Sequence, residues 1–115
     1  MQLTSDEHLK AEIILQSLIQ TRTAMSYSDF AVCMKLTGPQ KINRIVTWLE
    51  KITLEDMRAG RPLRACMIFS KQTPALPSSG FFSFCAEIGV FDWQNDLAKA
   101  RIFTQSQQEM LFSTH

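Results

Sequence analysis

Four cations recur at helical spacing in the middle of the chain: Lys41, Arg44, Lys51 and Arg58. At about 100° per residue they share one side of a helix, with Trp48 among them. Cations in a row neutralise phosphates. Gln40, Asn43 and Thr47, near the start of the same helix, carry amides and a hydroxyl of the kind that reach base edges. A tryptophan on a charged face has the chemistry of an interface anchor. One surface therefore fits either a nucleic acid or an acidic protein. A solvated helix face fits it too, with Glu55 spaced to pair with Lys51 or Arg58 and Trp48 covered by other parts of the chain.

Catalytic chemistry finds less material. The two histidines, His8 and His115, sit near the ends of the chain, and Asp29, Glu55, Asp56, Glu87 and Asp92 read as caps and surface charges. No Ser/His/Asp set, carboxylate pair or glycine-rich phosphate cradle can be assembled from these residues. The expectation is a protein that is not an enzyme. Cys33, Cys66 and Cys85 are odd in number and widely spaced, with no Cys-x-x-Cys. They read as small hydrophobes in a reduced protein, which predicts a cytoplasmic location, no structural metal and no cofactor.

The helix that carries the cations sets demands on the rest. Ile42, Ile45, Val46, Leu49, Ile52 and Met57 lie on its other side and need a core. The chain has 115 residues, 45% of them hydrophobic and 20% charged. That is one domain with enough apolar material for a core without disulfides. No apolar run approaches the roughly 18 residues of a membrane span, so no membrane partner is expected, and the polar N-terminus does not read as a secretory signal. The net charge is only +1, yet residues 35–71 hold eight basic and three acidic side chains. A neutral protein with a basic middle suits a local binding face.

The remaining elements follow in order. Thr4-x-x-Glu7 has capping-box spacing, and the pattern Ala11, Ile14, Leu15, Leu18, Ile19 predicts a helix over 5–21. Leu9 and Ile13 fall off its main face, so this helix is either covered on two sides within the core, the favoured reading, or is the place for a homodimer contact. Ser28 and Asp29 open a short helix over 28–36. Thr37-Gly38-Pro39 stops it, and a long helix runs over 40–59, ended by Gly60 and Pro62. Residues 63–69 predict a buried strand, and 70–80, with two prolines, three serines and a glycine, a loop whose Lys71 could touch a backbone. Residues 81–103 form a C-terminal segment with mainly helical spacing, strand being the rival over 81–89. Val90, Phe91 and Trp93 belong to the core, and the Gln-rich stretch from Gln105 onward either extends the last helix or frays.

Helix, short helix, turn, long helix, strand and loop is the order of a winged helix. Tyr27-Ser28-Asp29-Phe30-Ala31, Gly38-Pro39-Gln40, Ile42, Ile45 and Arg61-Pro62-Leu63-Arg64 resemble the DNA-binding domain of alkyltransferase-like proteins. Where that family carries its reactive cysteine or tryptophan this chain has Leu63, and where it has His-Arg this chain has Arg64-Ala65. The resemblance implies a fold and a helix in DNA, without alkyl transfer. Arg61-Pro62-Leu63, the run from Leu76 to Phe81 and Val90-Phe91-Asp92-Trp93 are also similar in layout to small bacterial and phage-type proteins of no known activity. The expectation is a mainly α, winged-helix-like domain that binds DNA through Gln40, Lys41, Asn43, Arg44, Thr47, Lys51, Arg58 and Lys71. The alternative is a protein-binding adaptor or inhibitor from a phage or mobile element, using the same face and Trp48 against an acidic partner.

Overall fold

A computed structural model describes residues 2–72 and 76–113. Helix α1, Ser5–Thr21, starts on the expected capping box. The Thr4 hydroxyl accepts from the Glu7 N–H, and the Glu7 carboxylate accepts from the Thr4 N–H. It buries Ala11, Leu15, Leu18 and Ile19. Leu9 and Ile13 are left 60% and 70% exposed.

Strand β1 is Met25–Ser26, where the sequence reads only a polar connection. Helix α2, Tyr27–Cys33, is capped by Ser26, whose hydroxyl accepts from the Asp29 N–H at 3.1 Å. The cap is thus two residues earlier than Ser28, and the helix is shorter than 28–36. After the turn through Gly38, helix α3 runs Lys41–Ala59 and ends on Gly60, whose φ of 69° suits a residue without a Cβ.

Residues 63–69 are mostly not a strand. Arg64–Met67 form a 3-10 helix, and strand β2 is Ile68–Phe69 alone. It pairs in parallel with β1, Met25 opposite Ile68 and Ser26 opposite Phe69. Side chains explain the tighter coil. The Arg64 N–H donates to Asp56 at 3.1 Å and the Leu63 N–H to Gln107 at 2.8 Å. The Cys66 carbonyl accepts from Gln108 at 2.9 Å. Backbone groups that a long strand would send to neighbours are satisfied here by side chains. Beyond β2, the Ser70 N–H meets the Leu76 carbonyl at 2.7 Å in a single antiparallel bridge. Residues 73–75 of the expected wing lie outside the described residues, as do 114 and 115.

The segment 81–103 resolves into two helices. Helix α4, Ser79–Glu87, is capped by the Ser78 hydroxyl, so residues 81–87 are helical. Helix α5, Leu97–Ser113, starts after Trp93 and takes in the Gln-rich stretch. That stretch is held because Gln107 and Gln108 bond the 3-10 helix. The Tyr27 hydroxyl receives the Ser78 N–H at 3.0 Å and ties α2 to the cap of α4. Burial holds its phenol proton more tightly than usual.

The result is mainly helical with a two-stranded parallel sheet. One core joins Leu15 and Ile19 of α1, Phe30 of α2, Ile45 and Ile52 of α3, Met67, Phe82 and Leu111. The Cα radius of gyration, 13.2 Å, is that of one compact domain of this length. No helix among the described residues is long and apolar enough to cross a membrane.

Candidate functional site

Helix α3 has two faces, and the chain divides them differently from the sequence expectation. Ile45, Trp48, Leu49, Ile52, Thr53 and Asp56 are buried, while Ile42, Val46 and Met57 are only partly covered. Trp48 is 3% exposed. Its ring stacks on Phe30 with centroids 6.0 Å apart, and its Nε1–H donates to His8 Nδ1 at 2.7 Å. It does not stand on the surface with the cations. An indole that finds a stacking partner and an acceptor for its N–H is more stable inside than in water.

His8 also meets Glu12 through Nε2. Because indole N–H is a donor only, Nδ1 must be the bare nitrogen and Nε2 carries the proton towards Glu12. Arg44, expected among the phosphate contacts, is paired with Glu7. The Thr4 N–H and Arg44 together hold the Glu7 carboxyl below its usual range, the backbone bond being the larger cause. The start of α1 therefore lies along one edge of α3 and takes up both Arg44 and Trp48.

At the other end of α3 the Asp56 carboxylate is fully buried, and not the surface charge its sequence context implies. It accepts from Arg61 Nε at 3.2 Å and Arg64 Nε at 3.1 Å, besides the Arg64 N–H. Arg64 also approaches Glu12, at 3.7 Å. An acid in the last helical turn opposes the helix dipole. Two guanidinium groups and a backbone donor offset that cost here. These polar residues link α1, α3 and the 3-10 helix from Arg44 to Arg61.

What stays open on α3 is a row of Gln40, Lys41, Asn43, Lys51, Glu55 and Arg58, all exposed, with Thr47 half-buried among them. Among the described residues, Lys41, Lys51 and Arg58 have no carboxylate partner, and Glu55 pairs with neither Lys51 nor Arg58. The amide of Asn43 donates to Gln40 at 3.0 Å. Lys71 is exposed on the turn after β2. Of the expected site, then, seven residues remain at the surface, Arg44 is tied to Glu7, and Trp48 is in the core.

No family model, curated protein or solved structure matches this chain. The site must be argued from its own chemistry.

The two buried cysteines are not poised as nucleophiles. Burial pushes the Cys85 thiol up to about 12 and raises the Cys66 thiol well above its ordinary value, so both stay protonated. Cys33 is exposed, contrary to the expectation that all three cysteines are buried. The described residues hold no group of three or more histidines, cysteines and carboxylates placed to grip a metal ion. His8, Glu12, Asp56 and Arg64 are the polar residues that sequence reasoning missed. For Asp56 and Arg64 the signal that could have found them is local, whereas His8 and Glu12 meet partners distant in sequence. Arg61 and Arg64 flank Pro62 just after Asp56, where the chain must turn back past the helix end.

Proposed function

We propose that this chain is a non-enzymatic nucleic-acid-binding module that presents the exposed row of α3 to duplex DNA. One observation carries the reading. Lys41, Lys51 and Arg58 stand in solvent without carboxylate partners among the described residues, on a helix that also exposes Asn43 and its N-cap Gln40. Cations that fold into no ion pair are free to displace counterions from a phosphate backbone. The α2–turn–α3 unit acts in this reading as a helix-turn-helix, with β2 and the Ser70–Leu76 bridge as the base of a wing. Lys71 would then touch the backbone beside the main contact.

The test is anisotropy of a labelled random duplex titrated at low and moderate salt. Binding that weakens steeply with salt is expected, with Lys41→Gln and Arg58→Gln each weakening it alike on any sequence. A duplex that stays free at low salt would sink the reading.

A protein partner is the second reading, with its contact on α1 and not on α3. Trp48 is buried and cannot anchor a complex from the α3 face. Leu9 and Ile13 of α1 are exposed instead, beside a groove of about 630 Å³ lined by Glu12, Gln16, Gln20 and Arg64. A homodimer or a partner protein would dock there. Ile13→Asp would then abolish a complex seen by light scattering, without loss of duplex binding.

A further inference from the structure

Between the N-terminal segment and α3 lies a small cleft of about 90 Å³, lined by Gln2, Leu3, His8, Thr47, Trp48 and Lys51. Its size decides much. Pockets for organic ligands start near ~300 Å³, so this one holds a single ion or one functional group. Its charge decides more. Lys51 has no ion-pair partner among the described residues, and the Thr47 hydroxyl has no hydrogen-bond partner there. No acid lines the cleft, and of the acids on α1 Glu7 is engaged by Arg44 and Glu12 by His8 and Arg64. Glu55, one turn beyond Lys51, is exposed and does not reach its ammonium. The indole of Trp48 is held by His8 and Phe30, and its ring edge carries partial positive charge. Lys51, Thr47 and Gln2 thus line one cleft that no carboxylate lines among the described residues.

We infer that this cleft is a seat for one phosphate group, with Lys51 as the cation and Thr47 and Gln2 as hydrogen-bond donors. Lysine binds phosphate as a compact point charge with three donors. The biological source of the phosphate rests on the reading above: one backbone phosphate of a bound strand would sit here and set the register of α3. Free inorganic phosphate offers the same chemistry. The seat also explains why the start of α1 matters to α3. Residues 2–8 form one wall of the cleft, and Thr47 and Lys51 form the other.

The experiment follows the Trp48 indole N–H in a proton–nitrogen correlation spectrum of the full chain. Inorganic phosphate is titrated in, against sodium chloride at matched ionic strength. The expected result is a saturable shift with phosphate only. Lys51→Gln and Thr47→Val should each weaken it about tenfold, while Arg101→Gln, an exposed cation on α5 outside the cleft, leaves it unchanged. An unmoved indole, or an equal shift in Lys51→Gln, overturns the proposal. Both side chains reach solvent, and circular dichroism of the two variants checks that they fold. A labelled duplex separates the two ideas. Phosphate binding without duplex binding keeps the seat and removes the nucleic-acid reading. Duplex binding with no phosphate effect does the reverse.

Discussion

The two ends of α3 use the same residue types to opposite ends. Near its C-terminus Asp56 is fully buried and gathers Arg61, Arg64 and a backbone N–H. Nearer its N-terminus Arg44 meets Glu7 near the surface, and along the exposed row Lys41, Lys51 and Arg58 meet no carboxylate among the described residues. Charge alone does not separate these regions; water does. A buried charge stripped of its partners costs several kcal/mol, whereas exposed pairs contribute about 1 kcal/mol or less. The buried carboxylate cluster is therefore committed to the fold, and the exposed row, which runs from Lys41 to Arg58 beside that cluster, is free to meet a partner.

Asp56→Ala breaks the contrast most directly. It leaves two guanidinium groups and the Arg64 N–H without their acceptor and should cost roughly 3–5 kcal/mol. The readout is the midpoint of urea unfolding, and a loss below about 1 kcal/mol would mean the cluster is not structural. Trp48→Phe comes next. It keeps most of the ring but removes the donor to His8, for about 1 kcal/mol and no change in duplex affinity. A large fall in affinity with stability intact would return Trp48 to the binding face.

Glu7→Gln probes the boundary between the two regimes. It should cost about 1 kcal/mol or less through the capping box and the Arg44 pair, and it should tighten duplex binding by freeing Arg44. The pH dependence has a definite sign. The folded state holds the Glu7 carboxyl below its ordinary range. Its contribution is therefore complete above that range and disappears as pH falls through it. Thermal melts across the acid limb should show this in the parent and less of it in Glu7→Gln. The smallest effect on stability is expected for Lys41→Gln and Arg58→Gln, within about 0.5 kcal/mol. Each should nevertheless lower the salt slope of duplex binding by about one.

Much of the helical layout was legible. Thr4-x-x-Glu7 and the Gly60 stop mark local hydrogen bonds that a few neighbouring residues make by themselves. The stripe Ile45, Trp48, Leu49, Ile52, Asp56 was legible too, since its spacing of three and four is that of a buried face. It was misread because Trp48 and Asp56 stand beside charged residues in the sequence. The polar cluster was less visible. His8 and Trp48 are 40 residues apart, and so no local pattern joins them.

Sequence alone determined where α1 starts and where α1 and α3 run and stop, because capping and periodicity act within a turn or two. It also determined the basic excess of the middle of the chain. Tertiary structure decided which of those charges face water. It drew Trp48 inward through Phe30 and His8, enclosed Asp56 between two arginines, and coiled residues 64–67 against Gln107 and Gln108. Each of those outcomes depends on a partner from a different element, and burial that depends on a distant partner is settled only when the chain has closed on itself.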